Sequence, residues 1–186
     1  MPDNAANPRV KPWPRPRGIP RYSRLPLPPY RFIPKLAPHP IREPEGHSHA
    51  RADEPDPGEA GFRHGVDLYN RGCWWEAHEA WEAVWLAAEK GSARKAALQG
   101  LIQVANAHLK LEQSRARAVT RLRGKCNALF TAAAGLAPGA LGFDLDGWRR
   151  AVDAYFDRAL ALNPPRHVRA RYPFIVLWTL HSGPLR

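Results

Sequence analysis

The chain has 186 residues, 44% of them apolar and 10% aromatic, and a formal net charge of +11. That length holds one domain with a sizeable core plus an appendage and leaves little room for a second full domain. The composition excludes a wholly disordered chain, and no run approaches the roughly eighteen consecutive apolar residues of a membrane span, YPFIVLWTL near the C-terminal end being far too short.

Fifteen of the twenty prolines fall before residue 58. Proline at this density removes backbone donors and keeps preceding residues out of the helical region, so residues 1–57 are expected to form an extended, polyproline II-like arm. Residues 1–24 read as disordered; from Pro28 onward Tyr30, Phe32 and Ile33 give the arm a means of docking. MPDNAANPRVKPWPRPR lacks the apolar core of a signal peptide. The two cysteines, Cys73 and Cys126, show no metal-type spacing and no disulfide framework, which fits a reducing compartment, so a cytoplasmic setting is expected.

From residue 59 the pattern turns helical. Phe62, Val66 and Tyr69 recur at i, i+4 and i+7, and Asn70-Arg71-Gly72 supplies a stop. A second helix runs from about Cys73 to Glu89 and ends at Lys90-Gly91-Ser92, where Ser92 caps a third that sets Leu98, Leu101, Ala105 and Leu109 on one face. The fourth, from about Arg115 to Ala134, turns Val119, Leu122, Cys126, Leu129 and Phe130 inward and Arg117, Arg121 and Lys125 outward. Asp144 or Asp146 caps a fifth with Trp148, Val152, Tyr155 and Ala159 inward, and Asn163-Pro164-Pro165 ends it. Beyond Arg171 the chain reads either as a strand or as an apolar tail folded on the helices. The expected class is all-α: a mainly antiparallel bundle of about five helices over residues 58–186, preceded by the arm.

Within the second helix, CWWEAHEAWEAVW packs four tryptophans, three glutamates and a histidine into residues 73–85. On a helical wheel with His78 at zero, Trp85 lies about 20° away, Trp74 and Glu82 about 40°, Trp75 and Trp81 about 60°, Glu79 about 100° and Glu76 about 160°. His78 is thus expected at the centre of the apolar face, Glu82 at its edge, and Glu76 in water. Buried imidazoles and carboxylates need partners, and an i, i+4 bond between His78 and Glu82 would satisfy both and make His78 more basic. Trp74, Trp81 and Trp85 read as core, and Trp75 as the one that lines an open pocket.

GFRHGVDLYNRGCWWEAHEAWEAVW, then LQGLIQVANAHLK and LGFDLDGW, together resemble the domain-of-unknown-function 309 family of small helical bundles; PPYRFIPKLAPHPIREPEGHSHA resembles the proline-rich arm of its longer members. The resemblance covers residues 28 to about 160. It implies a bundle fold and a recurring polar cluster carried here by His78, Glu79, Glu82, Trp85, Gln99 and Gln103, and it implies no established activity.

Several functions are compatible with these residues, and no cofactor is named by them. A His–Glu–Gln cluster inside a bundle suits a structural network, or recognition of a small molecule or peptide. HEAWE, an HExxE motif, also places His78 and Glu82 at the ligand spacing of HExxH zinc sites, with His108, or His39, His47 and His49 in the arm, as further ligands of a metal-dependent hydrolase-like site. A di-iron bundle is excluded because the two Glu-x-x-His pairs it requires are missing. LYNRGCWWEAHEAWEAVW and AVDAYFDRALALNP look like parts of a tetratricopeptide pair, a protein-interaction module, but the repeat period is not there. Arg117, Arg121 and Lys125, with the arginines around Trp13 and Tyr22, leave nucleic-acid binding open without a recognised motif.

Overall fold

A computed structural model of the chain describes residues 7–49, 56–137 and 139–178, and among these it contains five α-helices and no strand. They are α1 (Glu59–Asn70), α2 (Trp74–Ala87), α3 (Ala93–Glu112), α4 (Ala116–Ala132) and α5 (Leu145–Leu160). Consecutive helices pack on one another, and α3 lies against both α2 and α4. The fold is an all-α bundle, and among the described residues no helix is long and apolar enough to cross a membrane.

Local chemistry sets the boundaries. Gly72, at φ 71°, makes the left-handed turn between α1 and α2. The Ser92 side chain accepts from the Lys95 amide at 3.1 Å to open α3, and Asp144 accepts from the Gly147 amide at 2.9 Å to open α5. Where α1 meets α2, Gly65 is needed because a Cβ would collide with the Trp81 indole, whose N–H donates to the Phe62 carbonyl at 3.2 Å.

The buried positions follow the sequence periodicity. Val66, Tyr69, Leu98, Leu101, Ala105, Val119, Trp148 and Tyr155 are all inside. Leu129 and Trp85 are only partly covered; the Lys95 ammonium sits 4.8 Å over the Trp85 ring. On α4, Arg117, Arg121 and Lys125 are exposed, whereas Arg123 reaches α5 and donates to Asp157 at 2.7 Å. After a short 3-10 turn at Arg169–Arg171, residues 172–178 form no strand and fold onto the bundle. There the Asn70 side chain does what a neighbouring strand would, donating to the Ile175 carbonyl at 2.8 Å and accepting from its amide at 2.9 Å.

Residues 7–49 contain neither helix nor strand, yet Val10, Phe32 and Ile33 are buried. Backbone donors of this segment find acceptors on the bundle. The Trp13 amide donates to the Arg71 carbonyl at 2.7 Å, the Tyr22 and Ser23 amides to the Asp67 carboxylate at 2.9 and 2.8 Å, and the Phe32 amide to Glu76 at 2.7 Å. Of the stretch that composition marks as disordered, residues 1–6 lie outside the described residues. Residues 7–24 carry the Trp13, Tyr22 and Ser23 contacts just given.

Candidate functional site

The face of α2 that the wheel assigns to water is covered. Glu76 is only 6% exposed, because residues 30–48 of the arm pass over it. Its Oε1 accepts from the Phe32 amide at 2.7 Å and from His47 Nε2–H at 3.1 Å, while its Oε2 is buried without a hydrogen-bond partner. The expectation of a solvated Glu76 is therefore corrected, and the physical reason is the arm, whose path no helical period encodes.

Glu76 is one wall residue of a cleft of about 490 Å³ between the arm and the α1–α2 pair. That size lies within the range of small-molecule sites. Trp75, Glu76, Glu79 and Ala80 form its α2 wall, and Leu25, Pro26, Pro28 and Ile41 supply an apolar wall from the arm. His47, Ser48, His64 and Asp56 add to its polar lining. Trp75 is fixed by edge contacts with Phe32 and His39, at centroid distances of 5.7 and 5.4 Å. The buried cation of this region, Arg31, is already committed: it lies 3.5 Å from Glu112, donates to the Arg9 carbonyl at 2.8 Å and sits 5.0 Å over the Trp74 ring.

Around the side of α2 from Glu76 lies the second constellation. His78, Glu79 and Glu82 each offer a ligand atom within 4.8 Å of the others. The His78–Glu82 separation is 3.8 Å, with Glu82 nearly half exposed, too long for a hydrogen bond. Burial holds His78 below the ordinary histidine range, although Glu82 and a hydrogen bond with Asn106 pull it back upward. The expected gain in basicity is thus outweighed by desolvation, and His78 is a neutral imidazole. Burial pushes the Glu79 carboxyl up to about 7, with the charges of Glu82 and Glu76 adding to the shift. Gln99 and Gln103 are half-buried on α3. Among the described hydrogen bonds none joins Gln99, Gln103 or Trp85 to this trio, and the Trp85 Nε1 has no partner.

His108 stands elsewhere. It is fully buried, its Nε2 bonds the Tyr69 hydroxyl at 3.1 Å, and its ring stacks on Trp74 and His167 at centroid distances of 5.6 and 5.4 Å. His108 is therefore not among the groups gathered at His78. His167 donates through Nε2–H to the His108 carbonyl at 3.0 Å and accepts at Nδ1 from the Tyr155 hydroxyl at 2.7 Å. Glu112 lies 3.7 Å from His167, but burial brings His167 down to about 3 despite the His108 carbonyl, so the carboxylate is the partner of Arg31 and not of an imidazolium. Sequence reasoning missed this His–Tyr–Trp nest because His167 and Tyr172 sit in irregular chain. Cys73 and Cys126 are free and buried, and burial pushes the Cys126 thiol up to about 12 and that of Cys73 well above its usual range. Neither is an activated nucleophile.

The fold and the cleft define a helical-bundle protein with an acid-lined cavity beside its second helix. Residues 62–122, from α1 into α4, match the family model described as Domain of unknown function (DUF309), the family that the sequence resembles. The α2 wall of the cleft and the His78 trio lie inside the matched residues; the arm and α5 lie outside them. No curated protein and no solved structure matches the chain significantly.

Proposed function

We propose that the protein is a small-ligand recognition protein whose site is the cleft between the arm and α1–α2. One observation carries this reading: a cavity of about 490 Å³ is walled by Trp75, Glu76, Glu79 and Ala80 of α2 and by Leu25, Pro26, Pro28 and Ile41 of the arm, apolar surface with a few polar groups set in it. Trp75 and the arm prolines supply apolar area, and Glu76, Glu79 and His47 supply the few polar groups that orient a bound molecule. The test is protein-observed NMR of the full chain against a fragment library. Shifts should concentrate at the Trp75 indole N–H, the Ala80 methyl and the Gly61 amide; shifts concentrated away from the cleft would overturn the reading.

A second reading, a divalent metal held by His78, Glu79 and Glu82 in a hydrolase-like site, is favoured by the mutual proximity of their ligand atoms and by the neutral imidazole that metal binding requires. It predicts a stoichiometric transition metal in protein purified without a histidine tag, lost in Glu82→Gln. Metal-free protein in that assay, even after incubation with zinc and desalting, would remove it.

A further inference from the structure

The outward face of α4 carries charge that the rest of the molecule leaves unanswered. Residues 114–143 hold five basic residues, Arg115, Arg117, Arg121, Arg123 and Lys125, and no acid. Arg123 is committed inside the molecule, to Asp153 and Asp157 of α5 at 3.4 and 2.7 Å. Arg117, Arg121 and Lys125 are exposed, and among the described residues none of the three forms an ion pair. On a wheel with Arg121 at zero, Arg117 and Lys125 lie about 40° to either side and Phe130 about 180° away. Because the Phe130 ring packs on Gly100 of α3, the cationic row points straight away from the core. The face is open: a Cβ on Gly124, beside the row, would meet no other group within 4 Å, and its neighbours Thr120 and Ala128 are small and exposed. At the start of α4 the Ser114 hydroxyl donates to the Pro165 carbonyl at 3.0 Å, which brings the exposed Arg166 to the same end of the helix as the exposed Arg115.

We infer that this face of α4 binds the phosphate backbone of duplex DNA without regard to base sequence. The surface is separate from the cleft, α3 lying against both α2 and α4, and it holds or falls without the cleft. The charge does nothing for the helix that carries it. Like charges at i, i+4 repel, and Arg115 and Arg117 stand at the N-terminal end, where the macrodipole favours acids and the first turn has none. An anion outside the chain answers both costs. The cations recur about every 6 Å along the axis, so the anion must recur as well; a single phosphate would meet one of them. A phosphodiester backbone has such a repeat built in, whereas an acidic peptide must be ordered to display one. Single strands need aromatic platforms on which bases stack, and the one aromatic residue of α4, Phe130, is buried. Between duplexes, B-form DNA has a major groove about 12 Å wide that admits a helix, and the A-form groove of RNA is too narrow. Gly124, Thr120 and Ala128 let the α4 backbone come close, and the overall charge of +11 steers the approach. Contacts of this kind give affinity and carry no sequence information.

The experiment uses the full chain and a fluorescent DNA duplex of mixed sequence, titrated by anisotropy at salt concentrations from about 50 to 200 mM. Affinity should fall about 40-fold or more over that range, the log–log slope of about −2.7 that three phosphate contacts give. The triple variant Arg117→Gln, Arg121→Gln, Lys125→Gln alters exposed positions only and should melt like the parent. It should bind at least about tenfold more weakly at the low-salt end, with a slope shallower by about 2.7. A charge-matched control, Arg15→Gln, Arg17→Gln, Arg24→Gln, removes three exposed cations from the arm and should change affinity less than about threefold. Equal losses in the two triple variants would make binding a matter of net charge and overturn the assignment to α4. An RNA duplex or a single strand of the same sequence that binds more tightly than the DNA duplex overturns duplex DNA as the partner, and polyglutamate that displaces the duplex at equal charge concentration puts an acidic protein in its place. Binding that is absent at low salt, or indifferent to salt, removes the interaction altogether. If the triple variant does not fold as the parent does, Arg121→Gln alone takes its place and should make the slope shallower by about 0.9; an unchanged slope would clear α4 of any part in binding.

Discussion

Glu76 and Glu82 lie on the same helix, and a wheel alone would rank Glu82 as the costly one to remove. The contacts reverse that order. Glu76→Ala strips the acceptor from a buried amide at Phe32 and from His47, and an orphaned buried donor costs about 1–3 kcal/mol; we expect a loss of about 2 kcal/mol in denaturant unfolding. Glu82 is nearly half exposed and stands 3.8 Å from a neutral imidazole, so Glu82→Ala should stay below about 0.5 kcal/mol. Equal losses in the two variants would mean that the arm does not cover α2 as described. What was legible at this scale is that His78, Glu79 and Glu82 are neighbours; Gln99, Gln103 and Trp85, which the resemblance groups with them, share no described hydrogen bond with the trio. What was not legible is which glutamate is buried, because a wheel knows only its own helix, and Glu76 is covered by Phe32 and His47, 44 and 29 positions earlier in the chain.

Among elements, the five helices were legible because each carries its own punctuation. Ser92 and Asp144 cap α3 and α5 with their side chains, Gly72 turns out of α1, and the apolar residues recur at helical spacing. The course of the arm was illegible for the opposite reason: proline-rich chain has no period, and its docking depends on partners supplied by other elements. Those partners are specific. Trp13 meets Trp74 and Tyr172 edge-on at centroid distances of 5.2 and 4.9 Å, with the Arg31 guanidinium 5.4 Å from its ring. Trp13→Ala should therefore cost about 2–3 kcal/mol and loosen residues 7–31 before the bundle melts. Limited proteolysis will show this as early cleavage within the arm at temperatures where the parent resists. Simultaneous loss of arm and helices would instead mean that the two unfold as one unit.

Across the whole molecule, the chain gathers two histidines into its interior and keeps both uncharged. Burial holds His108 well below the ordinary value, with His167 adding to the effect; for His167 burial and, after it, the Arg31 charge bring the value from 6.5 to about 3. The folded value lies below the unfolded one, so below pH 6.5 the unfolded chain binds more protons than the folded chain. The stability contributed by the neutral rings is complete above about pH 6.5 and is lost as pH falls toward about 3. Each histidine should steepen that fall by about 1.4 kcal/mol per pH unit. Chemical denaturation at several pH values between 7 and 4 measures the slope, and His167→Gln isolates one ring from the carboxylates that titrate at the lower end. The variant starts less stable at pH 7, because the Tyr155 hydroxyl and the His108 carbonyl lose their shaped partner, but its stability should decline more gently with acid. A variant whose curve runs parallel to that of the parent would show that His167 is protonated in the folded chain, and the stack of Trp74, His108 and His167 would then have to be an imidazolium site paired with Glu112.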